Sequence, residues 1–290
     1  MVVVFNRRAL GARALGRSGM AQGLREHGIA HVIVETRGRE EARAAAAEAA
    51  QAGCAVVAAG GDGTALDVAN GLLAAGAPDA TMGLVPLGTG NDLGRALGRV
   101  GIGLKQALDA LAEFQVRAID VAQVNDGEYF LNVLGVGFDA EVARRRTAHR
   151  IHWPGYFPAV VKTILDYRPR DYRVTWPQGA REGAALMIAA MNGVYEGGGF
   201  RLAPRAKLED GLLDASWIDP INLWQFSRYV WAVRWGTHTR LPMVQGWQTS
   251  RFTVESESPI QYHLDGEYRE LPAAEPLSVV VHPRRLRMIV

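Results

Sequence analysis

The sequence predicts two domains of different class: an α/β domain over residues 1–121 and an all-β sandwich over residues 122–277, with residues 278–290 returning to the first. Three observations carry this. Over the first 120 residues, short apolar runs alternate with helix-like stretches; from Asp120 onward, strand-like runs follow one another across Gly, Asn, Asp and Pro turns. The last apolar stretch, "LSVVVHP" (277–283), lies beyond the β succession. A chain of 290 residues, 48% hydrophobic and 21% charged, is long and apolar enough to build a core in each domain.

In the first domain the strand signals are "MVVVF" (1–5), "AHVIVE" (30–35), "CAVVAAG" (54–60) and "TMGLVPL" (81–87). Helical stretches fall between them, at 14–27, 39–52, 64–76, 91–98 and 104–113. Continuous apolar strands separated by helices indicate a parallel sheet covered on both faces. Ligands of such sheets bind beyond the carboxyl ends of the strands. In the second domain "RAIDVAQVN", "EYFLNVLGVG", "RDYRVTW", "GAALMIAAMN", "DASWID", "SRFTVES" and "IQYHLDGE" read as strands of an antiparallel sandwich. Helices are expected at 154–167 and 221–236.

Composition excludes several classes. A net charge of +2 is too small to argue for nucleic acid, and the single Cys54 rules out an intrachain disulfide or a cysteine-based zinc cluster. The start of the sequence lacks the basic region and long apolar core of a secretory leader. No uncharged run reaches the roughly 18–20 residues of a membrane helix. The expectation is a cytoplasmic protein able to touch a membrane surface.

Three glycine-rich stretches invite a phosphate. "GARALGRS" (11–18) places Arg17 where a P-loop needs lysine and starts several residues past its strand, so it reads as a basic surface loop. "GVGFDA" (135–140) has the glycines of a dinucleotide fingerprint but no following βαβ unit or second acidic strand end. "GGDGT" (60–64) ends an apolar strand and opens a helix. There Gly60 and Gly61 let the backbone approach a phosphate, and the helix N-terminus favours an anion. Asp62 repels phosphate unless a divalent cation lies between them or it orients the ligand by hydrogen bonds. A plain glycine turn with an aspartate cap would explain this motif alone. The next strand, however, ends in "PLGTGNDLGR" (86–95), where Gly88, Thr89 and Gly90 offer amides and a hydroxyl and Asn91 or Asp92 caps a helix. Two such turns on adjacent parallel strands make a phosphate-sized crevice.

With both turns in place, the chain resembles the diacylglycerol kinase catalytic-domain family, in particular the soluble bacterial lipid kinases. The residues that carry the resemblance are Asn6, "GGDGT" with "VANGL" (68–72), "PLGTGNDLGR", "FLNVLGVGFDAEV" (130–142), "NG" and "GGG" (192–193, 197–199), "KLEDGLLD" (207–214) and "LDGE" (264–267). The resemblance implies an α/β nucleotide-binding domain of the kind shared by NAD kinases and diacylglycerol kinases, a β-sandwich domain, and ATP bound between them. It implies ATP contacts at Asn6, Thr36, Gly60, Gly61, Asp62, Gly63, Thr64, Gly88, Thr89, Asn91 and Asp92. It further implies Mg²⁺ held by Asp210 with the carbonyls of Lys207 and Leu212, and Glu267 as catalytic base. The chain departs from the family at Arg7, where proline is usual, and at Leu66, where an amide side chain is usual.

The residue types suit these roles. Phosphoryl transfer needs positioning, charge neutralisation and a group to take the hydroxyl proton. "HLDGE" ends a strand at an Asp-Gly turn that sends two carboxylates, Asp265 and Glu267, in different directions, one to take the proton and one to orient metal or substrate. Which does which rests on the resemblance. A carboxylate flanked by turn carbonyls in "KLEDGLLD" suits a hard cation. "HRIH" (149–152) and His263 lack a third ligand in sequence, and no zinc is assigned.

Residues 144–170 interleave arginines with Trp153, Tyr156, Phe157 and Tyr167, a pattern suited to docking on an anionic membrane. Trp224, Trp231 and Trp235 recur at near-helical spacing and are expected to line an acyl-chain pocket or a homodimer contact. The reading is an ATP- and Mg²⁺-dependent lipid kinase, with diacylglycerol first among acceptors. The alternatives are an NAD kinase-like enzyme, which shares GGDGT, and a catalytically silent lipid-binding or regulatory protein of the same fold.

Overall fold

The computed structural model of the chain describes residues 1–77, 79–98, 103–149 and 156–290, with only the backbone described at 147–149, 156–159 and 161. It divides into two compact units, Met1–Val121 with Pro283–Val290, and Ala122–His282.

The first unit follows the order β1 (Val2–Asn6), α1 (Leu10–Glu26), β2 (Val32–Thr36), α2 (Arg39–Gln51), β3 (Val56–Gly60), α3 (Asp62–Ala74), β4 (Thr81–Pro86), α4 (Asp92–Ala96), α5 (Leu104–Glu113) and the start of β5 (Val116–Val124). The strands pair in parallel in the order β2-β1-β3-β4. Near the end of the chain, Arg287 and Met288 continue the sheet beside Thr81 and Met82. Val3, Phe5, Val57, Ala59 and Val85 bury one face of this sheet against Met20, Leu24, Leu108 and Leu111 of α1 and α5. Each such aliphatic or aromatic side chain contributes about 1.5–3 kcal/mol on leaving water. The alternating pattern read from the sequence is therefore a parallel sheet with helical cover. The stretch "GARALGRS" is not the loop expected of it: it is helical from Leu10, with a break at Gly16, whose φ of 68° and ψ of 166° interrupt the helix. Leu66 is fully buried in α3, so the departure from the family's amide at this position faces the core.

The second unit continues through β6 (Tyr129–Phe130), β7 (Val133–Gly137), α6 (Phe138–His149), α7 (Tyr156–Asp166), β8 (Arg170–Trp176), β9 (Gly179–Ala185), β10 (Met187–Met191), β11 (Leu213–Ile218), α8 (Leu223–Trp235), β12 (Val244–Thr249), β13 (Arg251–Glu255), β14 (Ile260–Leu264), β15 (Glu267–Leu271) and β16 (Leu277–Ile289). Six strands form an antiparallel sheet in the order β12-β11-β10-β7-β14-β15. The strands β9, β8, β13 and the first residues of β16 also pair antiparallel.

Four features differ from the expected elements. The stretch after Gly137 is helix α6, whose buried side Phe138, Ala140, Val142 and Ala143 is hidden in the sequence by the Arg144–Arg146 run. "GAALMIAAMN" divides at Leu186 into β9 and β10, which belong to different sheets. Strands β12 and β15 escaped notice because their exposed, polar residues give no clean apolar alternation. Finally, β16 runs on to Ile289.

Candidate active site

In the first unit the polar and glycine residues collect at the carboxyl ends of the parallel strands. Asn6 ends β1 in register with Thr36, which ends β2, and Gly60 ends β3 opposite Pro86 of β4. Asn6 Nδ2 donates to Thr64 Oγ1 at 2.9 Å, which fixes the first turn of α3 beneath the tip of β1. Thr36 and Thr64 are buried, whereas Thr89 is exposed.

The two glycine turns meet backbone to backbone. A Cβ on Gly88 would stand 2.4 Å from Gly61 Cα, and one on Gly61 would stand 3.2 Å from Gly88 Cα. No side chain fits at Gly88, and one at Gly61 would press on the neighbouring turn, so glycine lets the tips of β3 and β4 close. The second turn is held by its own amide side chain. Asn91 sits in the left-handed region (φ 55°, ψ 41°), and its side chain accepts from Gly88 N at 3.0 Å and donates to Gly88 O at 2.8 Å. Asp62, for which the sequence offered an intervening cation or hydrogen bonds to the ligand, has partners within the protein. Its carboxylate accepts the N–H of Asn91 at 2.7 Å and that of Leu93 at 3.4 Å, at the start of α4. Asp92 is buried, with Arg95 Nε 3.8 Å from its Oδ1. The result is a tip built from main chain, with the N-terminus of the 13-residue α3 opening at Gly61–Gly63.

In the second unit β14 and β15 form a hairpin across Asp265 and Gly266. Their φ values of 48° and 84° are those of a type I′ turn, which Asp-Gly favours. Glu267 is the first residue of β15. The Asp265 carboxylate accepts three consecutive backbone N–H groups, from Leu131 at 2.9 Å, Asn132 at 3.0 Å and Val133 at 2.8 Å. Such charge-assisted bonds contribute about 1.5–3 kcal/mol each. The geometry thus gives Asp265 an organising role, holding the turn against the strand that enters β7.

Behind the turn lies a cluster that the sequence did not reveal. His263 Nε2 is 2.9 Å from Asp139 Oδ2 and 3.2 Å from Glu196 Oε1, and the His263 ring is almost wholly buried. Gly135 makes room for this contact, since a Cβ there would stand 2.4 Å from His263 Nε2 and 2.5 Å from Asp139 Oδ2. Gly266 N–H donates to His263 Nδ1 at 3.1 Å, and Arg146 Nη2 donates to Gly266 O at 3.2 Å, so the cluster and the turn are one assembly.

The candidate ligand atoms of Asp139, Glu196 and His263 lie within 4.8 Å of one another, a spacing that suits a divalent ion. The hydrogen bonds argue for protons instead. Burial opposes the imidazolium, but the Asp139 and Glu196 carboxylates beside the ring outweigh it and push His263 up to about 10. Burial, reinforced by the Asp139 charge, pushes Glu196 up to about 8. Asp139 is held below the ordinary range because the His263 ring, with Arg146 beyond it, outweighs its burial. Glu196 therefore carries a proton at neutral pH and Asp139 the negative charge.

The remaining expected residues lie in the second unit. Asp210 is exposed, and its Oδ1 accepts the N–H of Leu212 at 3.1 Å, so the carboxylate orders the turn between Lys207 and Leu212. Among the basic residues, Arg144 and Arg145 both pair with Glu141 at 2.6 Å, and Arg145 also reaches Asp166 at 2.9 Å. Tyr167 packs edge-to-face on Phe138 in the core. Within the expected docking surface at 144–170, Arg144, Arg145 and Tyr167 thus have internal partners, while Lys162, Leu165 and Arg168 are exposed; Trp153 lies outside the described residues, as do the side chains of Tyr156 and Phe157. The three tryptophans of α8, expected to line an acyl-chain pocket or a homodimer contact, share one outward face. They are 66%, 67% and 69% exposed, facing away from the core rather than lining a pocket in it.

Comparison with known proteins gives a consistent family. A family model of the diacylglycerol kinase catalytic domain matches residues 1–124, and the YegS C-terminal NAD kinase beta sandwich-like domain matches residues 132–290. The chain is 30% identical to a diacylglycerol kinase of Bacillus subtilis over 233 residues, 78% of this chain and 75% of that protein. It is 29% identical to a diacylglycerol kinase of Staphylococcus saprophyticus over 217 residues, 73% of this chain and 71% of that protein. In fold it is similar to a crystal structure of a diacylglycerol kinase from Bacillus anthracis, with a TM-score of 0.80 and 23% identity, over 99% of this chain and 96% of the other.

Proposed function

Since the chain belongs to the diacylglycerol kinase catalytic-domain family of lipid kinases, which phosphorylate a lipid alcohol, we propose that it transfers the γ-phosphate of ATP, with Mg²⁺, to the hydroxyl of diacylglycerol, giving phosphatidic acid. The observation that supports the donor half is the Gly61–Gly88 contact at the tips of β3 and β4. Main chain without side chains, ahead of a helix N-terminus, suits a polyphosphate, whose oxygens can approach amides closely.

Bound ATP with its metal supplies an electrophilic phosphorus and a leaving group; there is little covalent chemistry left for the protein beyond positioning and electrostatics. The amides of Gly60, Gly61 and Gly63 and of Gly88 and the hydroxyl of Thr89 would hold phosphate oxygens. Asn6, Thr36 and Thr64 would shape the floor beneath them, with Asp62, Asn91 and Asp92 keeping the second turn in place. The Asp210 carboxylate with the carbonyls of Lys207 and Leu212 offers the hard oxygen donors that Mg²⁺ prefers. Glu267 would accept the proton of the acceptor hydroxyl at a carboxylate oxygen, a contribution of roughly 10²–10⁴-fold. Asp265, committed to three amides, would position that base.

The test is incubation with γ-labelled ATP and Mg²⁺ against diacylglycerol, phosphatidylglycerol, ceramide, sphingosine and NAD. Label in phosphatidic acid is expected. Label in another lipid alone replaces the acceptor. Label in NADP alone overturns the lipid reading, and no label anywhere favours a silent binding protein.

A further inference from the structure

Helix α8 carries two unlike faces. It is firmly built, with a reciprocal Asn222–Gln225 capping box at its start and Gly236 in the left-handed region at its end. Phe226, Tyr229 and Val233 bury one face among Phe138, Leu186, Met187 and Ile218. At about 100° per residue, Trp224, Arg228, Trp231 and Trp235 fall within a sector of about 60° on the opposite face. An outer face would ordinarily be polar. This one instead presents three indoles at 66%, 67% and 69% exposure, flanked by Leu223 at 51%.

The charge on this face has one sign. The Arg228 guanidinium lies 4.9 Å from the centroid of the Trp224 ring, and that of Arg234 lies 5.8 Å from that of Trp235. From Pro220 through Val254 the sequence has no acidic residue and four arginines, Arg228, Arg234, Arg240 and Arg251. A second copy meeting this face about a two-fold axis would set arginine against arginine with no carboxylate on the helix to offset it. An anionic partner that also welcomes indoles is the better complement. The headgroup layer of a bilayer does both: aromatic rings settle at that level, and each nearby cation gains about 1 kcal/mol from an anionic leaflet.

We propose that the outer face of α8, formed by Trp224, Arg228, Trp231 and Trp235, docks the protein on an anionic lipid bilayer with the helix lying in the plane of the interface. The proposal rests on the lipid-kinase reading only for its purpose: it brings the enzyme to the layer where an acylated acceptor resides. It moves the docking role from residues 144–170 to a surface that the fold leaves open, and it needs no membrane-crossing segment.

Flotation with vesicles of phosphatidylcholine, with and without phosphatidylglycerol, tests it directly. The parent is expected to float with the mixed vesicles, and its tryptophan fluorescence to be quenched by lipids brominated on the acyl chain. A variant with Trp224→Gln, Trp231→Gln and Trp235→Gln should lose at least about tenfold in vesicle affinity. Arg228→Gln with Arg234→Gln should chiefly remove the preference for phosphatidylglycerol. The triple variant should phosphorylate a short-chain, monomerically dissolved diacylglycerol like the parent, and the vesicle-embedded lipid poorly. Undiminished flotation of the triple variant overturns the proposal. So does a parent that does not float but elutes as a dimer that the tryptophan changes dissociate. Tryptophan-dependent flotation without turnover of any lipid keeps the docking face and removes the proposed substrate; turnover of the soluble lipid without flotation does the reverse.

Discussion

The glycine tips of the first unit and the hairpin of the second are made of different material. At the tips of β3 and β4 the work is done by main chain: two glycine turns touch where a Cβ on Gly88 has no room, and the side chains of Asp62 and Asn91 serve to hold those turns. At the β14–β15 hairpin it is done by side chains, with Asp265 on three amides and Asp139, Glu196 and His263 gathered behind the turn that leads to Glu267. A binding surface for phosphate can be built from amides because their dipoles are fixed by the backbone. A proton acceptor must be a side chain, and holding one in place calls for partners from distant segments.

The contrast predicts different responses to substitution. The largest effect on turnover is expected from Glu267→Gln, which keeps the shape of the hairpin and removes the acceptor. Turnover should fall by about 10²–10⁴-fold while ATP affinity and unfolding midpoint stay near the parent's. Unchanged turnover would place the base elsewhere. Asp265→Asn should instead act on stability. Asparagine tolerates the left-handed conformation of position 265 and keeps one acceptor oxygen, so the change isolates the charge and one set of amide bonds. A loss of about 2–4 kcal/mol in denaturant unfolding is expected. A loss below about 0.5 kcal/mol would mean that the three amides do not depend on this carboxylate.

Gly88→Ala tests the glycine tips. The new Cβ would overlap Gly61 Cα, so one turn must retreat, at a cost of about 1–3 kcal/mol. Because the retreat opens the contact itself, KM for ATP should rise along with the loss of stability. An alanine variant with parental KM would show that the tips need not touch to bind the nucleotide.

The glycine tips were legible in the sequence because each is contiguous. Each glycine turn follows its own apolar run within a few residues, and the parallel sheet brings the ends of consecutive strands together without further instruction. The hairpin was legible as "LDGE", but its support was not. Asp139, Glu196 and His263 are scattered along the chain, and only the antiparallel register of β7 with β14, which sets Gly135 opposite His263, brings them together. No periodicity marks that meeting. Helix α6, which supplies Asp139, was hidden by its arginines, and the exposed tryptophans of α8 read as an apolar stripe because spacing reports a common face without saying which way it points.

The smallest expected effect concerns the proton on Glu196. Its affinity, raised from 4.5 to about 8 by burial and by Asp139, means that between those values the folded chain holds a proton the unfolded chain has released. Stability must then fall as pH rises through this window, with a limiting slope of about 1.4 kcal/mol per pH unit for one whole proton. The partial exposure of the Glu196 side chain and its sharing of the proton with Asp139 reduce the effect. Glu196→Gln removes the titration yet leaves a donor for Asp139, so the variant should gain about 1 kcal/mol on the parent between pH 5 and pH 8. Asp139, whose affinity is lowered, contributes in the opposite sense and only in acid, so it leaves this window undisturbed. Urea unfolding of both proteins at the two pH values measures the difference. Parallel losses would mean that Glu196 is ionised in the fold, with the Asp139 and Glu196 carboxylates sharing the charge of the one His263 ring.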